Sequence, residues 1–339
     1  MSSQSPHSTW QQAMKNAIRD STQLCKALDL DPAELRLSRD GEDQFPVFVP
    51  HEFLRRMRRG DPNDPLLLQV LPRLEESMVV PDDALDPVGD QLVEMVPGLL
   101  HKYQGRVLLI LSGACAVHCR YCFRRHYPYG LAPKSFEQWK PALDYIANDP
   151  SVHEVILSGG DPLTISDSQL SQLSERLESI SHVRRLRIHT RFPVVIPQRI
   201  DANLCRWLSE SRLSKWVVLH INHPNEIDLE LVQAIGRLRA IGCNVLNQAV
   251  LLRGINDQLD TLARLCEQLI DLGVIPYYLH QLDRVAGASH FEVDPEDGLK
   301  LVGQLASLLP GYAVPNYVRE IAGEPSKTPM ELQPFSNVR

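Results

Sequence analysis

Three cysteines stand within eight residues, in the stretch Cys115-Ala-Val-His-Cys119-Arg-Tyr-Cys122, followed at once by Phe123-Arg124-Arg125. The spacing is C-x3-C-x2-C. Thiolates are soft ligands, and iron–sulfur clusters are the common reason to gather them. Three thiolates fill three corners of a [4Fe–4S] cube and leave the fourth iron open to a small molecule. A structural zinc site wants a fourth protein ligand, which His118 or a distant cysteine would have to supply. Three unrelated core cysteines fit the segment less well, because Arg120, Arg124 and Arg125 surround them, and a cationic setting favours thiolate over thiol.

Other chemistry-bearing residues recur at the ends of apolar runs. Ser158-Gly159-Gly160-Asp161-Pro162 closes one such run. Two glycines there let a ligand approach the backbone, and Asp161 offers an acceptor to an ammonium group, although the same residues also make a good turn. His189-Thr190-Arg191 ends the next run, Leu219-His220-Ile221-Asn222-His223 the one after, and Asn247-Gln248 lies in a fourth. A lone histidine at a strand end is ordinarily a structural residue. Polar clusters at several successive strand ends point instead to one shared face, and His220, Gln248 and Arg191 are the candidates for cofactor contact. Near the C-terminus, Glu320-Ile-Ala-Gly323-Glu-Pro-Ser-Lys327 contains a lysine that in isolation reads as solvated.

These residues need a scaffold that brings strand ends together. From Val107 onward strand and helix patterns alternate, which implies parallel strands with crossover helices. The pattern predicts strands over Val107–Leu111, Glu154–Ser158, Arg185–Thr190, Trp216–Ile221, Asn244–Leu251, Pro276–Gln281 and Tyr312–Arg319. Helices are expected from Asp167, from Asp228 to Ile241, from Leu259 to Leu272, and after the capping pair Asp294-Pro295. That makes about six units plus a final strand, an α/β fold of the partial (β/α)6 barrel type, whose chemistry sits at the strands' C-terminal ends. Residues 1–100 read as a mainly helical accessory region and 101–339 as the barrel. Ser8 is expected to cap a first helix running through Trp10, Ala13, Ala17 and Leu24, and seven prolines punctuate residues 46–87. Arg55, Arg56, Arg58 and Arg59 read either as a solvated face or as a contact with an acidic partner or another subunit of a homo-oligomer.

The chain has 339 residues, 43% of them hydrophobic, enough for a packed core. Its longest apolar runs are far short of the ~18 residues a membrane span needs. The first ten residues lack a signal-peptide core. Seven cysteines, an odd number, suit a reducing compartment, so a cytoplasmic location is expected. A net charge of −7 gives no general pull toward nucleic acid.

The cysteine spacing resembles the cluster motif of the radical S-adenosylmethionine (SAM) enzymes, and from His101 to Lys327 the chain resembles the lysine 2,3-aminomutase family. The stretches that carry this are His101-Lys-Tyr-Gln-Gly-Arg106, the cysteine motif with Arg124, Leu157-Ser-Gly-Gly-Asp161, Arg191-Phe-Pro-Val-Val-Ile-Pro-Gln-Arg-Ile200, Asn222-His-Pro-Asn-Glu226, Gln248-Ala-Val-Leu-Leu-Arg-Gly-Ile-Asn256, Tyr277-Tyr-Leu-His-Gln-Leu-Asp283 and Pro310-Gly-Tyr-Ala-Val-Pro315. The resemblance implies a [4Fe–4S] cluster on Cys115, Cys119 and Cys122, SAM on its open iron with Gly159, Gly160 and Asp161 receiving the SAM amino group, and pyridoxal 5′-phosphate held covalently by Lys327. It implies further that Lys102, Tyr103 and Arg106, with Gln248 beside them, bind the phosphate. Arg124 would clamp the carboxylate of L-lysine, and Asp283 and Glu320 would hold its distal ammonium. The expected product is β-lysine, formed with an external one-electron reductant.

Three departures stand out. The family's lysine mutases commonly carry Asp where this chain has Glu320. The glycine-rich loop before the lysine is here Ala-Gly-Glu-Pro-Ser. The zinc-binding cysteine extension of longer aminomutases has no counterpart after Lys327, and Cys25, Cys205, Cys243 and Cys266 read as core residues. The short form, with Cys-Ala-Val-His-Cys-Arg-Tyr-Cys-Phe-Arg-Arg-His-Tyr-Pro-Tyr, resembles the branch serving β-lysylation of translation elongation factor P, which implies the R product and a link to that factor's lysyl-transferring ligase. Two alternatives remain: a radical SAM modifying enzyme or activase without pyridoxal phosphate, and a zinc-stabilised binding protein.

Overall fold

The computed structural model describes residues 9–331. Ten strands form one sheet whose spatial order equals their sequence order. They are β1 (Glu94–Val96), β2 (Leu99–Tyr103), β3 (Arg106–Ser112), β4 (Glu154–Gly159), β5 (Arg185–Thr190), β6 (Ser214–Leu219), β7 (Asn244–Val250), β8 (Ile275–His280), β9 (Asn316–Arg319) and β10 (Thr328–Pro329). Strands β3 to β9 run parallel, while β1–β2, β2–β3 and β9–β10 pair antiparallel. Helices follow each of β3 to β8, giving six strand–helix units and a last strand, as the alternation implies. The sheet curls on itself: Lys102 of β2 lies 2.7 Å from Glu320, which directly follows β9. It is a partial barrel whose open seam is bridged by an ion pair.

Strand β5 shows why the lumen is polar. Leu186, Ile188 and Thr190 are buried beneath the outer helices, and the alternate residues Arg185, Arg187 and His189 face inward. A doubly covered parallel strand normally reads as apolar on both faces. Here the inner face lines a cavity.

Several boundaries differ from the sequence expectations. β6 starts two residues early and ends at Leu219, so His220 follows the strand. The last expected strand begins only at Asn316, because Gly311–Ala313 form a 3-10 turn. The hairpin β1–β2 lies at and before the expected domain boundary, and helices Phe136–Asn148 and Ala202–Glu210 fill crossovers that carried no specific expectation. The expected first helix is two: Trp10–Lys15 and Ser21–Ala27. The break is set by Ile18, whose backbone pairs with Val49 at 2.9 Å in both directions. Ser8 lies outside the described residues; Thr9 caps the first helix and Asp20 the second. The basic cluster is not a uniform face. Arg56 is buried on Asp228 at 2.6 Å and on the carbonyl oxygen of Glu226, whereas Arg59 meets Asp29 at the surface.

The first hundred residues are fastened to the cysteine segment. Trp10, Phe53, Leu66 and Leu71 belong to the same continuous core as Trp139, Leu173 and Val217. Glu76 is fully buried and accepts from Arg120 Nε at 2.8 Å and Arg125 Nη2 at 2.9 Å. Arg120 also donates to the Gly41 carbonyl, and its own amide to that of Gln69. Removing one member of such a group strands the others' charge. Glu76→Ala is expected to cost about 3–5 kcal/mol of stability, read from urea unfolding. Among the described residues, no helix is long and apolar enough to cross a membrane.

Candidate active site

A cavity of about 740 Å³ occupies the barrel lumen and its C-terminal mouth. Cys115, Cys119 and Cys122 line it, and so does Lys327, some 200 residues away in sequence. The cysteine segment leaves β3 at Ser112 and is held down by β4. At Gly159 (φ +125°) an added Cβ would fall 2.6 Å from the Ser112 oxygen, and at Gly160 it would collide with the Ala114 carbonyl. The amides of Gly160 and Asp161 donate to Ser112 O and Ala114 O at 2.6 and 2.7 Å. The close approach these glycines permit is therefore that of the chain's own cysteine loop.

Asp161 differs from its expected part as a free acceptor. Its carboxylate is already filled by the amides of Leu163, Arg191 and Phe192 and by the Thr190 hydroxyl, at 2.8–3.0 Å. Burial pushes its pKa up to about 6, against the pull of these donors. It ties the end of β5 to the glycine loop, while its backbone stays at the cavity wall. Arg191 is likewise turned from its expected contact with a ligand: its guanidinium meets Glu226, Gln69, Tyr121 and the sulfur of Cys119. His220 and Gln248 do line the lumen, and they bond to each other, Nε2 to Nε2 at 2.5 Å. Burial, aided by Arg191 and Arg124, pushes His220 down to about 3, so it is a neutral ring that accepts from Gln248.

The arginines do not lower the pKa values of Cys115 and Cys122 in the way the sequence suggests. Burial, followed by the neighbouring thiols, pushes Cys122 up to about 11 and Cys115 well above its usual value. Arg120 and Arg125 are paired with Glu76, and Arg124, joined at Cys122 by Arg125, opposes only in part. Bound iron, as the largest local charge, deprotonates a coordinating thiol outright. His118 is no fourth ligand: its Nδ1 bonds the Pro46 carbonyl at 2.7 Å and its ring stacks on Phe45. A structural zinc site wants a fourth protein ligand, whereas a [4Fe–4S] cube gives each of three thiolates its own iron and leaves the fourth iron open, so the three cysteines suit a cluster.

Arg124, Lys102 and Lys327 form one charge network. Arg124 donates from Nε to Asp90 at 2.7 Å and from Nη1 to Ser158 at 3.2 Å. Lys102 reaches Asp90, Glu320 and the Val88 carbonyl. Lys327 donates to the other oxygen of Glu320 and lies 5.9 Å from the Tyr278 ring centroid. Burial resists ionisation of Glu320, but Lys327 and Lys102 hold its carboxyl well below the usual range. Tyr103 faces the Glu320 carboxylate with no well-aligned hydrogen bond to its buried hydroxyl among the described residues, and Arg106 stacks on the Tyr103 ring at 4.6 Å. A hydroxyl donor beside a guanidinium is part of the donor set a phosphate uses.

Asp283 faces the cavity with no hydrogen bond to its carboxylate among the described residues. Burial, then the charge of Glu320, pushes it up to about 7. Asp90 went unnoticed in the sequence, where Gly89-Asp90 looks like any turn in a Pro/Asp-rich stretch. Glu154, Arg187 and Trp216 in the lower lumen were missed too, being ordinary strand residues until the sheet curls.

Residues 109–266 match the Radical SAM superfamily. Over 325 residues the chain is 46% identical to L-lysine 2,3-aminomutase of Escherichia coli, covering 96% of this chain and 95% of that protein. The corresponding enzyme of Haemophilus influenzae is 46% identical over 94% of each chain. The chain belongs to the lysine 2,3-aminomutase family. Like the radical SAM enzymes at large, this aminomutase is a [4Fe–4S] and SAM protein, and its reaction class is isomerisation. The Clostridium subterminale enzyme of the same name is 35% identical, and the alignment covers 77% of its length.

Proposed function

We propose that this aminomutase converts L-lysine to β-lysine with pyridoxal phosphate on Lys327. The observation that carries this reading is the presence of Lys327 and the three cysteines on the wall of one lumen. With its groups bound, the site has a hydrogen-atom abstractor from cluster and SAM and an electron-delocalising ring from pyridoxal phosphate.

The chain's own residues position and insulate. Arg124 presents a planar fork suited to a carboxylate, aimed by Asp90 and Ser158. Lys102, Tyr103 and Arg106 supply the phosphate donors. Asp283 and Glu320, both on the cavity wall, would hold the lysine ammonium, Glu320 giving up part of its present pairing with Lys327 and Lys102, which selects for chain length and charge. Glu320, one methylene longer than aspartate, shifts that anchor, and the R product rests on the resemblance of the cysteine segment. His189, His220 and His280 stay neutral around Lys327, so none competes as a cation.

A pH signature follows from Asp283. Below pH 7 its carboxyl holds a proton that the incoming ammonium must displace. Lysine affinity is expected to rise about tenfold per unit up to pH 7 and then level off, with proton release on binding at pH 6 but little at pH 8. Calorimetry in two buffers of different ionisation enthalpy checks this, and Asp283→Asn should lose the step.

The first hundred residues act as a brace for the cluster loop. Seven free cysteines and the cluster fit a cytoplasmic, reducing setting. The link to elongation factor P and its ligase is supported by the cysteine segment alone. Anaerobic incubation with SAM, pyridoxal phosphate, dithionite and L-lysine should yield β-lysine, resolved as R by chiral chromatography. SAM cleavage with no β-lysine and no pyridoxal absorbance would favour an activase or modifying enzyme.

A further inference from the structure

We propose that Arg191 is a positioning residue of the iron–sulfur centre, whose hydrogen bond to the Cys119 sulfur sets the cluster's reduction potential. The proposal rests on the reading that Cys119 ligates a cluster iron.

Arg191 follows β5 and is 7% exposed. Its Nη1 lies 2.7 Å from Cys119 Sγ and also donates to the Tyr121 hydroxyl. Its Nη2 donates to Gln69 Oε1 at 2.6 Å and to Glu226 Oε2 at 3.0 Å. The backbone is fixed as well, since the Arg191 amide donates to Asp161. Glu226 is pinned in turn by Gln69 Nε2 and the amides of Asn222 and His223, at 3.0–3.1 Å. Asn222 closes the ring by donating to Tyr121 and Gln69. Arg191, Gln69, Tyr121, Asn222 and Glu226 are all buried and Cys119 is half-buried, and the guanidinium cannot pivot without breaking several bonds at once.

Neither Cys115 nor Cys122 receives a side-chain hydrogen bond among the described residues, so the effect falls on one corner of the cluster. Glu226 cancels the net charge of Arg191 but not the N–H directed at sulfur. A hydrogen bond to a cluster thiolate stabilises the reduced, more negative state and raises the potential. In a dry site the bond is stronger than in water. The network also reaches into the first hundred residues through Gln69, which ties the brace to the redox centre as well as to the loop.

The test is a redox titration of the reconstituted holoenzyme, followed by electron paramagnetic resonance, with iron and sulfide content measured beside it. Arg191→Gln should move the midpoint to more negative potential, with Arg191→Lys between it and the parent. Tyr121→Phe removes the other acceptor on Nη1 and should move the midpoint the opposite way, in a protein whose ion pair is intact. Loaded Arg191→Gln or Tyr121→Phe protein with the parent's midpoint overturns the proposal. Parent protein that takes up no cluster at all defeats the ligand role of Cys119 instead.

Discussion

Lys327→Ala protein should bind its cluster and SAM normally yet form no β-lysine, with turnover down by about 10³-fold or more. The magnitude follows from tethering: a covalently held cofactor works at an effective concentration that free ligand does not reach. Two lysines line the cavity, and their surroundings separate them. Lys102 is locked by Val88 O, Asp90 and Glu320 and is 10% exposed at its side chain. Among the described residues Lys327 has Glu320 alone as its hydrogen-bond partner, is 20% exposed at its side chain, and stands over an aromatic ring. The freer amine is the one able to give up its ion pair for a covalent bond. Loss of Lys327 leaves Glu320 with Lys102, so the fold should survive. Borohydride reduction with pyridoxal phosphate, then peptide mapping, should tag Lys327; a tag on Lys102 would sink the assignment.

Cys119→Ala should abolish SAM cleavage, since a cube with two protein thiolates is not held and the electron has no route to SAM. Iron and sulfide should fall with it, while secondary structure stays near that of the parent. Cys119 is the motif cysteine bound by Arg191, so its loss also strips a buried donor of its sulfur partner. Deoxyadenosine release under dithionite is the measurement. Retained release would show that Cys119 is not a ligand. Both experiments probe the wall of one lumen, and neither substitution should affect the other's cofactor.

The sequence alone determined the family, the candidate cysteine ligands and the strand–helix alternation. These are short-range properties: C-x3-C-x2-C lies within eight residues, and each crossover helix carries its own period and cap, as at Asp294-Pro295. Strand ends were legible to within one residue, except for β6, shifted by two, and the start of β9, shifted by four. What the tertiary structure decided is where side chains spend their charge. Asp161 and Arg191 looked like ligand contacts but are consumed by Thr190, Glu226, Gln69 and Cys119. Arg120 and Arg125 looked like thiolate activators but answer to Glu76, more than forty residues away. Asp90 became visible only once β2 curled toward β9 and brought Lys102 to Glu320. A residue type and its spacing state which bonds are available; burial then obliges each polar group to find its partner, and that choice depends on the whole fold.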